Sequence, residues 1–330
     1  MAITISGGAT LSGGAQIGAG SSPAPSPGPA YSFQGSNFGY SVGGYTGSGY
    51  SNVIDKYSFT SDGNASDVGD LTLARNALAG QSSSSSGYSS GGNAAPATSN
   101  VIDKFPFSSD GNATDVGDIT QARYAVAGQS SSASGYTSGG RNPSNPLNTI
   151  DKFPFASDGN ATDVGDLTVA RQGVGGQSSA DNGYTTGGQL GNGNNENTID
   201  KFSFSSDGNA TDVGDLTGFA WYTTGQSSTT SGYRSGGYSA PSSVSTVANI
   251  IDKFSFSSDG NSTDVGDLTS ARAAASGTSS TASGYSAAGA TSAPTRVNII
   301  EKFPFASDGN ATDVGDITVT VVSASAGQQY

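Results

Sequence analysis

The sequence predicts an all-β fold built from six copies of one unit. One motif, typified by IDKFPFASDGNATDVGDLT, begins at Ile54, Ile102, Ile150, Ile199, Ile251 and Ile300. Self-similarity at such a period is the signature of repeat architectures, in which each unit buries its faces against its neighbours. Fifty glycines and a hydrophobic content of 33% would alone be typical of a low-complexity chain. Because the apolar residues recur at fixed offsets, we expect an ordered chain.

Each unit contains four strand candidates. In the copy from Leu167 to Thr217 they are LTVARQGVGGQSS, GYTTGG, IDKFSF and ATDVGDLT. IDKFSF alternates apolar and polar residues, with a shift near Lys201 that leaves room for a twist. Asp-Gly between two extended segments is a strong hairpin signal. The motif therefore predicts that IDKFSFSS and ATDVGDLT pair as antiparallel neighbours across a DGN turn.

The spacing separates a constant part of each unit from a variable one. From the Ile of one copy to the last residue of the next GG-type element the distance is 38 residues in all five intervals, as from Ile54 to Gly92. The stretch between that element and the next Ile varies from 9 to 13 residues. A fixed scaffold that carries one class of variable loop is typical of binding proteins.

The variable loops supply the candidate binding residues. Tyr, Ser, Asn and Gly combine contact area with adaptable hydrogen bonds, and paratopes favour them. In a four-stranded meander these loops would share one face of the molecule, with the DGN turns on the other. Neutral drift in exposed loops is the alternative. The candidates are Tyr45, Tyr50, Arg141, Asn194, Glu196, Tyr238 and Arg296.

The order of elements resembles a Kelch repeat over residues 35–330. The resemblance rests on a strand ending in double glycine (GYTTGG), a loop, a strand with an aromatic residue (IDKFPF), a polar turn, and a segment closing in a basic residue (DLTVAR). It implies one four-stranded β-propeller blade per unit. The sequence departs from the Kelch pattern by lacking its tryptophan, by Ala288-Gly289 in place of double glycine, and by Ala220 where other copies have arginine. We expect Phe and Tyr to fill the space between blades.

The two ends of the repeat region complete one blade. The chain enters the first unit at FGYSVGG, which aligns with a second strand, and it ends with VTVVSASAG, which aligns with a first strand. Pairing of these ends would close a ring and remove exposed strand edges. We therefore predict a six-bladed Kelch-like β-propeller over residues 31–330. An open β-solenoid is the alternative.

Residues 1–30 differ from the repeats. A Gly-rich segment with alternating apolar residues precedes SSPAPSPGPA, a Pro-rich spacer. We expect an anchoring arm that adds strands to the sheet edge of a partner; a disordered tail is the alternative. The apolar residues of the arm are Ile3, Ile5, Leu11 and Ile17.

Charge and composition exclude several functions. The net charge is −13, and 24 of the 26 acidic residues belong to the repeat, so we expect neither a nucleic-acid partner nor insertion into a membrane. The chain has no histidine and no cysteine, which excludes Ser-His-Asp triads, thiolate chemistry and histidine-bound metals. The lysines and arginines are also repeat-bound, which predicts ion pairs with neighbouring blades. We expect no catalytic residue and no enzymatic activity.

Calcium is the one cofactor that the repeat suggests. The loop SDGNASDVGD places Asp62, Asn64, Asp67 and Asp70 at spacings that partly resemble the calcium loops of integrin-type propellers, and oxygen ligands suit this cation. Ser66 at the fifth position and Asp67 in place of the turn glycine depart from that pattern. We expect hairpin turns with local backbone hydrogen bonds, and thus no metal and no cofactor.

Segments such as SDGNATDVGDLT and GQSSSASGYTSGG are also similar to repeats in virion structural and tail-appendage proteins of marine tailed phages, including those that infect cyanobacteria. The resemblance implies a non-enzymatic virion component, a tail-fiber-like appendage in host attachment. Its arm, residues 1–30, would bind other virion proteins, and its propeller would bind a host surface receptor or glycan. The alternative is a calcium-stabilised cellular interaction propeller.

Overall fold

The computed structural model describes residues 33–239, 246–291, 295–319 and 325–330, and every regular element in these ranges is a strand. The predicted arm, with Ile3, Ile5, Leu11 and Ile17, lies outside the described residues. In chain order the strands are β1 Phe38–Val42, β2 Val53–Ser58, β3 Ser66–Asp70, β4 Arg75–Asn76, β5 Ala79–Ser82, β6 Ser86–Ser90, β7 Asn93–Ala94, β8 Val101–Pro106, β9 Thr114–Asp118, β10 Ala127–Ser130, β11 Ser134–Ser138, β12 Thr149–Pro154, β13 Thr162–Asp166, β14 Gly175–Ser178, β15 Asn182–Thr186, β16 Thr198–Ser203, β17 Thr211–Asp215, β18 Thr224–Ser227, β19 Ser231–Ser235, β20 Tyr238–Ser239, β21 Thr246–Val247, β22 Ile250–Ser255, β23 Thr263–Asp267, β24 Ser276–Ser279, β25 Ser283–Ala287, β26 Ile299–Pro304, β27 Thr312–Asp316 and β28 Ala326–Gln329.

Six four-stranded antiparallel sheets form the blades of a β-propeller. From the central axis outward, blades 1 to 6 are β28-β1-β2-β3, β5-β6-β8-β9, β10-β11-β12-β13, β14-β15-β16-β17, β18-β19-β22-β23 and β24-β25-β26-β27. The prediction of an all-β, six-bladed propeller is confirmed, and the closed ring excludes the solenoid.

Blade 1 joins the two ends of the repeat region. β28 pairs with β1 in an antiparallel register that sets Ala326 opposite Val42 and Gln329 opposite Gly39. The closing strand is AGQQ, further along the chain than the start of the predicted VTVVSASAG segment. The reason is that AGQQ aligns with the inner strands of the other blades, such as AGQS of blades 2 and 3, whose second residue is a glycine that the axis requires.

The six inner strands approach one another backbone to backbone around the axis. A Cβ atom placed on Gly128 would lie 2.1 Å from the carbonyl oxygen of Gly80 in the preceding blade, and one on Gly327 would lie 1.9 Å from that of Gly277. No side chain fits at such distances, so this position is glycine in all six inner strands. Backbone contact around the axis therefore explains the glycine that all six inner strands share.

The hydrophobic core is divided among the six junctions between blades. At each junction a buried tyrosine of a second strand stacks on a phenylalanine of the next blade, with ring centroids 4.7 to 5.2 Å apart. Tyr285 and Phe59 make this contact at the closing junction between blades 6 and 1. The stacked pairs are Tyr40–Phe107, Tyr88–Phe155, Tyr136–Phe204, Tyr184–Phe256, Tyr233–Phe305 and Tyr285–Phe59. Tyr and Phe fill the space between blades, as predicted.

A buried ion pair lies in each of blades 2 to 6, and in four of them the arginine comes from the connector that leads into the blade. The Arg75 guanidinium lies 2.9 Å from the Asp103 carboxylate, and both side chains are fully buried. Arg75 also donates to the carbonyls of Gly91 and Val101, which fixes the ends of two strands. Burial lowers the pKa of Arg75, and Asp103 opposes that change. The other pairs are Arg123–Asp151, Arg171–Asp200, Arg234–Asp252 and Arg272–Glu301.

Blade 5 forms its ion pair from a different chain position. Its connector has Ala220 where the other copies have arginine, yet Arg234 of β19 reaches Asp252 at 3.1 Å. The residue at the position of Arg234 in blades 3 and 4 is threonine, Thr137 or Thr185. A guanidinium from the adjacent strand therefore replaces the one that the connector lacks.

Exposed ion pairs surround the outer edge of the ring. Each lysine bonds a DGN aspartate of the next blade at 2.5 to 2.9 Å, and Lys302 of blade 6 reaches Asp62 of blade 1. The prediction of ion pairs with neighbouring blades is confirmed. Each such pair is worth only about 0 to 1 kcal/mol because both groups are hydrated.

The DGN segments form hydrogen bonds to the preceding blade. The prediction of a tight hairpin turn was wrong. β16 and β17 pair as predicted, but residues 204–210 separate them. The Asn209 side-chain oxygen accepts the backbone N–H of Asp166 in the preceding blade at 3.0 Å, and Ala210 donates its N–H to the Asp166 carbonyl. The loop is longer than a hairpin turn because it must reach that neighbour. The irregularity predicted near Lys201 occurs between Ile199 and Asp200.

Candidate functional site

One side of the ring, here called the variable face, combines two kinds of segment. It carries the loops between the second and third strands of each blade and the connectors that lead to the next inner strand. In blade 3, Tyr124 of the connector and Arg141 of the loop exchange backbone hydrogen bonds of 3.0 and 2.8 Å. Equivalent pairs recur in neighbouring blades, and we call them bridge pairs. They are Asn76–Asn93, Tyr124–Arg141, Gln172–Gln189, Trp221–Tyr238 and Ala273–Ala290.

The backbone of the variable face is uniform. The residue after each connector member of a bridge pair has a positive φ, from 49° at Tyr222 to 64° at Gly173. These residues form a chain of hydrogen bonds around the axis: the N–H of Ala125 bonds the carbonyl of Ala77, and Tyr222 likewise bonds Gly173. The same backbone therefore carries different side chains in each blade.

The side chains at these positions differ more than those elsewhere in the repeat. The bridge pairs carry two amides, a tyrosine and an arginine, two further amides, a tryptophan and a tyrosine, and two alanines in successive blades. By contrast, IDKF or a close variant occurs in every copy. A constant backbone with variable side chains is the arrangement that binding loops on a rigid scaffold use.

Three of the predicted binding residues meet where blades 6, 1 and 2 adjoin. The rings of Tyr45 and Tyr50 lie 5.7 Å apart, and the Arg296 guanidinium lies 5.9 Å from the Tyr45 ring. Asn93 of blade 2 donates to the Tyr50 hydroxyl at 2.9 Å. These contacts link three variable loops into one surface.

Arg141 and Tyr238 lie in a second group that contains aromatic residues which sequence reasoning missed. The Arg141 guanidinium lies 5.9 Å from the ring of Tyr124, and the Tyr238 ring lies 5.1 Å from that of Trp221. Tyr222 joins the group, with its ring 4.8 Å from Trp221. Burial raises the pKa of Tyr222 to about 12, with smaller contributions from Tyr124 and Tyr238. The phenol is therefore a neutral hydrogen-bond donor near pH 7.

A comparison of the connectors would have found the missed residues. The aligned segments are LARNALAG, QARYAVAG, VARQGVGG, GFAWYTTG and SARAAASG. Only the fourth of these, which leads into blade 5, has large residues at the second and fifth positions, where the others have alanine or glycine, and it has tryptophan at the fourth position, where the second connector has Tyr124. Its bulky members are Phe219, Trp221 and Tyr222, and Trp221 is the single tryptophan of the chain.

Asn194 and Glu196 lie together in the loop of blade 4 but play different parts. Asn194 is exposed at the loop tip. Glu196 is half-buried, its backbone bonds Gly188 and Ala220, and its carboxylate faces Thr198. Burial lowers the pKa of Arg171, and Asp200 and Glu196 oppose that change. Glu196 therefore supports the loop more than it presents a free carboxylate.

The central channel separates the variable face from the start of the described chain. Phe33 lines a cavity of about 80 Å³ together with inner strands such as Ala79–Ser82. Gln34 donates to the carbonyl of Ser227, and Gly35 donates to that of Ser279, at the ends of two inner strands away from the variable face. The cavity at the opposite mouth, lined by Tyr222 and Ala77, holds about 60 Å³. Both are far below the roughly 300 to 1,000 Å³ of small-molecule sites.

The side chains of the DGN loops make contacts with protein donors. Asp62 bonds Lys302, Asn64 accepts the N–H of Asp316, and Asp67 accepts the N–H of Gly69. Three of the four candidate ligands therefore each direct one oxygen at a protein donor. Within the described ranges no group of three or more histidine, cysteine or acidic residues is placed to hold a metal.

None of the described segments is a helix of the length and apolarity needed to cross a lipid bilayer. No protein-family model matches the sequence, and no curated protein matches it. The Kelch resemblance therefore stays a prediction.

Among the 214 chains of solved structures that match, the structure of YjhT aligns with a TM-score of 0.66. The alignment covers 85% of this chain and 98% of that one, with 11% sequence identity. At this identity the likeness shows the six-bladed fold and no more.

Proposed function

We propose that this protein is a non-enzymatic binding module of a virion appendage, whose variable face binds a receptor or glycan on a host surface. The observation that carries the proposal is the set of bridge pairs, in which one backbone presents different side chains around one face. The residues at the junctions between blades recur because the ring needs them, whereas the residues at the bridge pairs differ from blade to blade.

Charge supports a contact surface on this side. Every lysine, and each of five arginines, forms an ion pair within the ring. Arg141 and Arg296 are the arginines for which the described part of the chain offers no carboxylate within 4.0 Å, and both lie on the variable face. Arginine with tyrosine and tryptophan is typical of binding hot spots.

The position of the first described residues supports the proposed role of the arm. The chain reaches the ring at Phe33 and Gln34, on the side away from the variable face. The start of the described chain and the variable face therefore lie on opposite sides of the ring. The virion itself rests on the sequence resemblance of the repeats.

The test uses purified phage particles from a culture that expresses this chain, and the purified chain on host cells. We expect the protein in the particles and its loss from them when residues 2–30 are deleted. We expect cell binding to fall at least about tenfold in an Arg141→Gln, Tyr238→Gln double variant. The backbone accepts glutamine at both positions because Gln189 is the equivalent residue of blade 4.

Lys152→Gln on the outer edge is the matched control and should bind as the unaltered chain does. A protein absent from particles overturns the virion location. Cell binding that the double variant retains in full overturns the binding role of the variable face.

A further inference from the structure

The connector that leads into blade 5 differs from the others in a way that folding does not require. It replaces the buried arginine with Ala220, and Arg234 of the next strand restores the ion pair to Asp252. A change that needed compensation elsewhere served something other than stability. The new residues at the surface are Phe219, which is 40% exposed, and the half-buried Trp221 and Tyr222.

The left-handed backbone position that alanine or glycine occupies in the other four connectors carries a bulky residue here. Tyr222 has a φ of 49°, a left-handed conformation that costs of order 1 kcal/mol or more for a bulky residue. The preceding residue of the hydrogen-bond chain is Gly173, and a Cβ there would lie 3.0 Å from the Tyr222 nitrogen and 3.4 Å from the Trp221 ring. Glycine in blade 4 thus makes room for the aromatic residues of blade 5.

We infer that this cluster, defined as Phe219, Trp221, Tyr222, Tyr238 and Arg141, is a saccharide-binding site. The inference rests on the proposed function and names the ligand class. The C–H face of a sugar ring packs on an indole or phenol ring, while its hydroxyls bond phenols, amides and guanidinium groups. The cluster supplies both kinds of contact.

The surroundings favour a saccharide over a protein. The Trp221–Tyr238 pair lies between the Gln172–Gln189 pair of blade 4 and the alanine pair of blade 6. Amide donors therefore flank the rings on one side, and only small side chains flank them on the other. Of the large hydrophobic residues in the described ranges, four are exposed, and they occur singly along the chain: Leu73, Val169, Phe219 and Tyr330. A stable protein interface buries at least about 1,000 Å² around a larger apolar centre.

The shape agrees with an extended ligand. The channel mouth beside Tyr222 holds about 60 Å³, which is too small to enclose a sugar ring, so the ligand lies across the surface. The net charge of −13 repels polyanions, and Arg141 supplies a local positive charge beside the ring of Tyr124.

The experiment applies the full chain to a printed array of bacterial O-antigen and capsular polysaccharides. Hits are titrated by the fluorescence of Trp221, the single tryptophan, which reports contact at the site itself. We expect at least one polysaccharide to bind and to shift the Trp221 emission. A Phe219→Ala, Tyr222→Ala double variant should bind at least about tenfold more weakly. A Trp221→Gln variant lacks the fluorescent residue, so its binding is measured on the array, and it should also fall at least about tenfold.

These substitutions are matched to the fold because each introduces the residue that another connector carries. Alanine stands at the position of Phe219 in four connectors and at that of Tyr222 in three, and Gln172 is the equivalent of Trp221. An unchanged melting temperature confirms folding. Leu73→Ala, which removes an exposed apolar residue from another connector, is the control and should leave binding unchanged.

The inference is overturned if no polysaccharide on the array shifts the Trp221 emission, or if the variants bind as well as the unaltered chain. It is also overturned if host-cell binding survives periodate oxidation of the surface glycans. In that last case the proposed binding face stands if the Arg141→Gln, Tyr238→Gln variant still loses cell binding, because the receptor is then a protein.

Discussion

The junctions between blades and the variable face are built from the same six repeats but follow opposite rules. At the junctions and within the blades the side chains recur from copy to copy, as in the stack of Tyr136 on Phe204 and the pair of Arg123 with Asp151. On the variable face the backbone recurs and the side chains change, as from Gln172–Gln189 to Trp221–Tyr238. The difference shows which positions the ring needs and which are free to acquire a ligand.

Departures from the repeat are informative for the same reason. Within and between the blades they are compensated. Arg234 replaces the arginine missing at Ala220. Tyr57 stands where the other third strands have phenylalanine, and its hydroxyl bonds Thr278, which stands where the other inner strands have glutamine. On the variable face the departures have no such counterpart. A compensated change preserves the fold, and an uncompensated one alters the surface.

Removal of a whole junction is the largest test of this comparison. Deleting Ala326–Tyr330 removes the inner strand of blade 1, with its pairing to β1 and the bond from Gln328 to the Tyr88 carbonyl. We expect the melting temperature to fall by at least about 10 °C or the cooperative transition to disappear, measured by circular dichroism. Deletion of residues 2–30 is the control and should leave the transition in place. An unchanged curve for the first deletion contradicts closure of the ring.

The second test moves a buried ion pair along the chain. Arg234→Thr leaves Asp252 buried without its cation and should cost about 3 to 5 kcal/mol in the free energy of unfolding, measured with urea. Adding Ala220→Arg restores the arrangement of the other blades, and we expect it to recover most of that loss. If the double variant is no more stable than Arg234→Thr, the two positions are not equivalent and compensation is the wrong explanation.

The smallest effect is expected at the closing junction, where the repeat is incomplete. No arginine follows Asp316 in the sequence, and no described arginine lies within 4.0 Å of the buried Asp55. Burial raises the pKa of Asp55, and hydrogen bonds from Thr318 oppose the rise. An ionised Asp55 therefore disfavours folding above its folded pKa, and that cost disappears as the pH falls through this pKa towards the unfolded value of about 3.9.

Asp55→Asn should accordingly be within about 1 kcal/mol of the unaltered chain at pH 7, or more stable, with the difference shrinking as the pH falls towards 4. Asp103→Asn, at the same position of blade 2, should lower the free energy of unfolding by about 3 to 5 kcal/mol because it leaves Arg75 buried without its anionic partner. Urea unfolding of both variants at pH 7 and pH 4 measures the contrast. Equal losses at pH 7 would mean that Asp55 also has a cationic partner.

Much of the fold could be read from the sequence because repetition makes local patterns visible six times. The four strands of each unit, the six blades, the closure by the two ends and the ion pairs between blades follow from alternation, glycine placement and charge. The DGN loops were misread as tight turns because their partner, such as Asp166 for Asn209, lies in another blade, and a hairpin signal is purely local.

By itself, then, the sequence determined the architecture and separated constant from variable segments. Only the tertiary structure decided which residues meet on the variable face. Trp221 and Tyr238 belong to a connector and a loop 17 residues apart, and Tyr222 and Tyr124 to different blades. Their neighbourhood depends on how the closed ring orients successive blades around the axis. That orientation is set by the backbone contacts of the inner glycines, and spacing along the chain does not express it.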